Sequence, residues 1–412
     1  MGKLALVLSA GGARGAYEAG VIHYLRTGLP KKAAQRNFDI FSGTSVGAIN
    51  TVGMVSMSHD PFLQGEGLKT MWFNIRQGDI YRRDLTATTH FLGSTVGGLL
   101  KNIFTINPFH LPKRGPHFES ILDTSPLKKY LIKNIPWKMV DQNIQKGPVD
   151  AVAVNVTNLT NGRNEIFLNK KRKVPYQGHY ICHQGSIRPE HVVASAAIPI
   201  IFPPERIGQS YYADGGLRLF TPMSPAIQLG ADQLLVIGLR KRAAPQKPYL
   251  GRSRKDKSTP TIPEQLGRLL NGLFMDRIEF DMEQLNRINT IIETSQRVYG
   301  KDFLEKINRQ MKKNGSKLDI AQRGLRNIRG IEIQPSEFIN KIFLEWFNRD
   351  EKNFKFSALE KTLVRLLDID PGTGSDLLSY LIFAPRYIRD LFELGYQDAK
   401  KQRKDLIEML SD

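Results

Sequence analysis

Short apolar runs and amphipathic stretches alternate through the first 240 residues, and this alternation restricts the chain to a small set of folds. Residues 3–9, 38–42, 151–158, 191–194 and 233–239 are rich in Val, Ile, Leu or Phe and bounded by Gly, Asn or Asp, as buried strands are. Between the first two, Tyr17, Val21, Tyr24 and Leu25 fall on one helical stripe over residues 16–26. Strands separated by helices predict an α/β fold with a mainly parallel central sheet covered on its faces. A hydrophobic fraction of 41% in 412 residues supplies a sizeable core and excludes general disorder.

The rest of the chain is organised around that core. Residues 61–137 are less regular and read as an insertion over the sheet, with a helix start at Asp123-Thr124-Ser125-Pro126-Leu127, where Thr124 or Ser125 caps and Pro126 takes the first position. Residues 240–257 hold eight Lys or Arg against Asp256 alone, a net +7, with two prolines and a glycine. That pattern marks a basic loop, placed at 241–262. Beyond Pro263 the spacing becomes helical, first at Leu266, Leu269, Leu270 and Leu273, then at Ile278, Met282, Leu285 and Ile288, and again from Ser357 and Ser375. Residues 331–333 read as a last strand. The expected division is a core domain over 1–240, the loop, and a mainly helical region over 263–412 packed on the core.

Charge and cysteine content bound the function. Lys and Arg number 59 against 40 Asp and Glu, a net +19, which favours an anionic partner, either nucleic acid or lipid head groups. The single cysteine, Cys182, excludes an internal disulfide and disfavours a cysteine-ligated zinc site. The first apolar run, residues 4–8, lacks the layout of a secretory signal. No stretch reaches the roughly 18 to 20 apolar residues of a bilayer span, since the nearest, 192–202, is interrupted by Pro199. The expectation is a cytoplasmic or peripheral membrane protein, with signal-independent export left open.

Three local patterns carry chemistry. Residues 38–42 lead into Gly43-Thr44-Ser45-Val46-Gly47 and then the apolar Ala48, Ile49, Val52 and Val55. A strand running through GxSxG into a helix is a nucleophile elbow, which lifts Ser45 to a helix N-terminus where amides favour developing negative charge. A tight Gly/Ser turn is the competing reading. The histidines are His23, His59, His90, His110, His117, His179, His183 and His191, none of them in the last 221 residues, so the late histidine of an α/β-hydrolase triad is missing. The best base is Asp214, delivered by the aromatic strand Tyr211-Tyr212-Ala213 to the turn Gly215-Gly216. Read alone, it is a turn aspartate bonding its own backbone. With an unperturbed pKa of about 3.9 it is a weak base toward serine and acts as a positioned acceptor. Finally, Ser9-Ala10-Gly11-Gly12-Ala13-Arg14-Gly15 exposes amides at a helix start, which can cradle phosphate or an oxyanion, with Arg14 adding positive charge. A dinucleotide fingerprint matches incompletely, because Ala10 holds its first glycine position.

In this order, the glycine-rich turn, GTSVG and DGG resemble the patatin-like phospholipase family. Residues 194–204 ahead of the DGG, and the tail around Ser379-Tyr380-Leu381 and Leu394–Ala399, are similar to bacterial members. The resemblance implies a three-layer α/β fold and a lipid acyl hydrolase of phospholipase A or lysophospholipase type, working without metal or organic cofactor. It implies Ser45 as acylated nucleophile, Asp214 as its base, and an oxyanion hole at Gly11, Gly12, Ala13 and Arg14. Ala10 departs from the family, which usually has a third consecutive glycine there; its methyl narrows the approach while leaving the amide donors in place.

Weaker signals remain. His179 and His183 are four apart but lack acidic partners for a metal. Residues 170–173 (KKRK) read as a solvated loop or a binding patch. Ser195 is a second serine without flanking glycines, and the P-loop motif is missing. The aliphatic content of 61–137 suits either an acyl channel or plain core. The alternative to a hydrolase is a basic membrane- or nucleic-acid-binding protein with a vestigial core, but its cations lack the interleaved aromatics of single-strand binders. With a hydrolase core, residues 240–257 and 170–173 become contacts for an anionic membrane, and no nucleic acid is expected.

Overall fold

A computed structural model describes residues 2–83, 120, 122–172, 174, 176, 180–241, 278–314, 324–350, 356–357, 360–361 and 375–411. Its strands are β1 (Leu4–Leu8), β2 (Ile40–Thr44), β3 (Ala151–Asn158), β4 (Asn164–Lys170), β5 (Ile181–Gln184), β6 (Glu205–Ile207), β7 (Ser210–Asp214), β8 (Gln233–Ile237) and β9 (Arg329–Ile333). They form one sheet in the order β5-β4-β3-β2-β1-β8-β9, with β7 pairing β3 and β6. From β3 to β9 all neighbours are parallel, while β4 and β7 run antiparallel to β3.

Every residue of β1, β2 and β3 is buried, because both faces of the sheet are covered. On β1 the pleat sends Leu4, Leu6 and Leu8 into the larger core and Ala5 and Val7 into a second one. The first face is closed by the Gly15–Thr27 helix, the second by Met223 and Ala226 and by Met282 and Leu285 of the Ile278–Tyr299 helix. This is a three-layer α/β/α arrangement.

The Gly15–Thr27 helix is buried on nearly all sides, since the C-terminal Pro385–Lys401 helix lies against it. A Cβ on Gly20 would meet the Phe392 carbonyl and one on Gly395 the Tyr17 carbonyl, so the two backbones touch. Tyr17 Oη donates to Asp398 at 3.3 Å across the same contact.

Several sequence expectations change in detail. Residues 191–194 are not a strand; they belong to the Pro189–Ser195 helix. That helix is buried through residues 191–195, so it has no polar face and periodicity alone does not separate it from a strand. Pro189 starts it, and the Arg188 N–H donates to His191 Nδ1 at 3.2 Å. β4, β5 and β6 were not expected. The helix start near Pro126 is present as Ser125–Asn134 with Thr124 at the N-cap, though the Thr124 side chain makes no capping bond and Asp123 Oδ1 accepts the Ser125 N–H at 2.8 Å instead. The strand at 331–333 extends to Arg329–Ile333. Residues 242–262 of the basic loop, Leu266 to Leu273, and nearly all of 351–374 lie outside the described residues. Among the described residues no helix is long and apolar enough to cross a membrane.

Candidate active site

The strand register brings the two candidate catalytic residues together. β2 ends with Thr44 opposite Asn155 of β3, while β7 arrives from the other direction and ends with Asp214 opposite Val156. Two strand ends thus meet head-on along one edge of β3, at consecutive positions. Ser45 and Asp214, separated by most of the domain in sequence, are set by a single strand.

At the end of β2 the chain turns sharply into the Val46–Ser56 helix. Ser45 sits at φ 56° and ψ −123°, a left-handed conformation that costs a non-glycine residue about 1–3 kcal/mol and persists only where its surroundings enforce it. The enforcement is visible. A Cβ on Gly43 would lie on the Gly47 carbonyl and the Thr51 hydroxyl, and one on Gly47 on the carbonyls of Leu8 and Ser9. Both glycines of GxSxG are therefore required by close approach. The Ser45 N–H donates to Ser195 Oγ at 2.9 Å, and that hydroxyl donates to Asn155 O at 2.6 Å. Ser195, weighed above as a second nucleophile, is 0% exposed and has its proton committed. It holds the elbow.

Asp214 is 1% exposed. Oδ1 accepts the Gly216 N–H at 2.7 Å, and Gly215 fits because a Cβ there would meet the Asn155 carbonyl. Oδ2 is buried without a fully formed hydrogen bond, although the Ser45 hydroxyl is near enough to act on the carboxyl. Burial pushes the Asp214 pKa up to about 7, against the lowering by Ser45 and Gly216. This corrects the expectation of an unperturbed, weakly basic aspartate.

The glycine-rich turn lies alongside. Gly12 has φ 55°, and a Cβ there would lie on the Tyr380 carbonyl, so only glycine suits the position. The Arg14 N–H donates to Gly11 O at 3.1 Å, whereas the amides of Gly11, Gly12 and Ala13 have no backbone acceptor among the described residues. The Arg14 guanidinium is buried beneath the C-terminal Ser375–Leu381 helix: it donates to Ser379 Oγ at 2.6 and 3.0 Å and lies 4.0 Å from the centre of the Tyr380 ring. The Ala10 N–H donates to Phe220 O at 3.0 Å, and its methyl group faces Gly216. Residues 219–221 tie the three motifs together, since Leu219 O also accepts from Thr44 Oγ1 at 2.9 Å and Thr221 Oγ1 meets Ser9 Oγ at 2.7 Å.

Ser45 and Gly12 open onto an apolar cavity with Ile49, Trp72, Leu131, Phe202 and Phe383 among its walls. Trp72 and Leu131 come from the 61–137 region, so that region serves both core and cavity. Gln77 clamps it to the C-terminal segment, donating to Leu381 O at 2.7 Å and accepting the Phe383 N–H at 2.6 Å.

Sequence reasoning missed Glu18. Its carboxyl is 0% exposed; Oε1 accepts the Ser9 N–H at 2.9 Å and Oε2 accepts Asn50 Nδ2 at 2.7 Å. Asn50 Oδ1 in turn accepts Trp72 Nε1 at 2.8 Å. One carboxyl thus joins the glycine-rich turn, the helix after Ser45 and the cavity wall, and burial raises its pKa well above the usual range. The available signal was an acidic residue inside the apolar Gly15–Thr27 helix. Of the histidines, His183 Nε2 lies 2.7 Å from Glu165, His191 stacks on Phe167 at 4.0 Å and is pushed down to about 4 by burial, and His179 is outside the described residues.

A mainly parallel three-layer sheet with a strained serine at its strand–helix elbow defines an α/β protein of the elbow-bearing kind. The family model for patatin-like phospholipases matches residues 6–227, more than half of the chain, and the chain belongs to that family. Membership places it among lipid hydrolases. Two solved structures are similar to it. VipD from Legionella pneumophila is 15% identical, with 89% of this chain and 67% of that chain covered and a TM-score of 0.29. The type III effector protein ExoU is 12% identical, with 98% of this chain and 79% of that chain covered and a TM-score of 0.24. No curated protein sequence matches the chain.

Proposed function

We propose that the protein is a serine acyl hydrolase of phospholipase A or lysophospholipase type, using Ser45 and Asp214 as a dyad. The observation that carries this reading is the placement of Ser45, strained at the elbow, on the wall of an apolar cavity with the Asp214 carboxyl one register position away. An acyl chain in the cavity brings its ester carbonyl to Ser45 Oγ, which attacks the carbon while Asp214 takes the proton. The oxyanion forms beside the amides of Gly11, Gly12 and Ala13, while the fourth expected donor, the Arg14 N–H, is already given to Gly11 O. Collapse expels the alcohol, which takes the proton back from Asp214 and leaves an acyl-enzyme. Water then attacks that ester, Asp214 again taking the proton, and the fatty acid leaves as Ser45 is reprotonated. A carboxyl with a pKa of about 7 serves as base and acid near neutral pH.

The test is incubation with phospholipids, lysophospholipids and neutral glycerides, reading released fatty acid. Release from phospholipid or lysophospholipid is expected; release from none of the three overturns the reading. The anionic-membrane contact expected of residues 170–173 is left out of this proposal, because Lys170 pairs with Ala151 at the end of β3 away from Ser45 and Lys171 is held by Asp150 at 3.1 Å.

Glu18→Gln tests the positioning network. A carboxyl offers an acceptor to both donors, but an amide must turn its NH2 toward either the Ser9 N–H or Asn50. Leaving one buried donor unmatched costs about 1–3 kcal/mol, so kcat on a soluble ester is expected to fall about tenfold with a smaller change in KM. An unchanged kcat removes Glu18 from the positioning role.

A further inference from the structure

We propose that the rim of the cavity docks on an anionic lipid layer with Ile200 as its inserted tip, an inference that rests on the lipid-hydrolase reading above. Among the described residues only two non-glycine residues have positive φ, Ser45 and Ile200, the latter at 71°. For a β-branched residue this is a strained conformation that Gly or Asn would relieve. The turn holds an apolar side chain outward, 42% exposed. Its ends are closed by the Phe202 N–H donating to Ile198 O at 2.7 Å, and both Ile198 and Phe202 line the cavity. Ile200 therefore stands at the edge of the cavity without forming its wall.

Other exposed apolar residues sit on elements bonded to this turn or to its neighbours. Ile201 O accepts the Leu122 N–H at 2.9 Å just ahead of the Ser125–Asn134 helix. One face of that helix lines the cavity through Leu127 and Leu131, while Ile132 is 54% exposed. Lys128 of the same helix bonds Glu205 on β6 at 2.5 Å, and β6 pairs with β7, which presents Tyr211. Tyr211 O accepts the Leu159 N–H at 2.8 Å, and both side chains are 47% exposed.

Cations accompany this rim. The Ser125–Asn134 helix carries Lys129 and Lys133 beside Lys128, whose charge Glu205 offsets, and Arg206 lies 6.0 Å from the Tyr211 ring. Protruding aliphatic and tyrosine side chains with Lys and Arg beside them, near the mouth of an apolar cavity, match the chemistry of a lipid–water boundary with anionic head groups. Docking there places the cavity mouth against the layer that holds the substrate.

Partitioning onto sucrose-loaded vesicles, measured by co-sedimentation with Ser45→Ala protein so that no lipid is consumed, tests the proposal. The vesicles are phosphatidylcholine alone or equal parts phosphatidylcholine and phosphatidylglycerol. Ile200→Asn is expected to weaken binding to both about tenfold while Tm stays equal or rises, since Asn tolerates positive φ. Leu159→Asn, on a different loop, is expected to act in the same direction. Lys129→Gln with Lys133→Gln is expected to weaken binding only to the anionic vesicles, and less so at high salt. Binding unchanged by both Asn substitutions overturns the proposal, as does a concentration-dependent dimer that Ile200→Asn dissolves. Vesicle partitioning is read without turnover, so a failure of lipid hydrolysis in the wild-type protein counts against the proposed function and not against the docking surface.

Discussion

Ser45→Ala is expected to abolish labelling by a fluorophosphonate probe and to reduce ester hydrolysis by about a thousandfold or more, because nucleophile and base act as one unit. The fold should tolerate the change. The Ser45 side chain makes no capping bond, while its N–H, the group that Ser195 holds, is unaltered. Alanine at φ 56° carries nearly the same backbone strain as serine, so Tm is expected to stay within a few degrees. Labelling that survives in this variant would point to another serine. Ser195 is a poor alternative, being fully buried with its proton committed to Asn155 O.

Asp214→Asn separates a catalytic carboxyl from a structural one, because its effects on activity and stability should have opposite signs. The amide can still accept the Gly216 N–H but cannot take a proton from Ser45. Hydrolysis is expected to fall by a factor comparable to that for Ser45→Ala. In the wild-type enzyme the acid limb of activity should titrate near pH 7, because only the carboxylate is a base. The folded pKa is raised above the unfolded value of about 3.9, so the folded state holds this proton more tightly. The resulting stabilisation is full below about pH 4 and is lost as pH rises to about 7, an effect bounded by about 4 kcal/mol. Above pH 7 the wild-type protein buries a charge that the asparagine variant does not. The variant is therefore expected to be at least as stable at pH 8 in thermal melts across pH. A variant that kept near-native hydrolysis would remove Asp214 from the dyad, and one that lost stability at pH 8 would make its role structural.

The candidate site was legible in the sequence because each part is a local backbone device. GTSVG announces a crowded elbow, the 9–15 segment a turn of free amides, and DGG a carboxylate at a strand end. What joins them is non-local and left weaker marks. The head-on meeting of β2 and β7 follows from pairing with β3, and Ser195 gains its role through position alone. The pKa of Asp214 depends on how completely it is covered, which no local motif encodes. The parallel strands at 4–8, 40–44, 151–158 and 233–237 were readable as short buried runs. β4 was missed although Asn161-Gly162 between 151–158 and 164–170 is a hairpin signal. The 191–194 error has a different origin, since a short helix buried on all sides offers no periodicity to read. Glu18 escaped because an acidic residue in a first turn usually serves the helix dipole in water, whereas here it turns inward onto Ser9 and Asn50, partners distant in sequence.

The meeting of two strand ends on β3 makes activity a reporter of folding. In a growing chain Ser45 precedes its partner by 169 positions, so the dyad cannot exist until residues 210–214 have paired beside Val156. The Arg14 guanidinium waits longer still, for Ser379 and Tyr380. A slip of one residue in the pairing of β7 with β3 would shift the carboxyl by one step of about 3.3 Å and turn it to the opposite face of the sheet. Partly folded or misregistered chains should therefore be inert as well as unstable, and the appearance of hydrolytic activity during refolding should mark the last long-range contacts rather than the first.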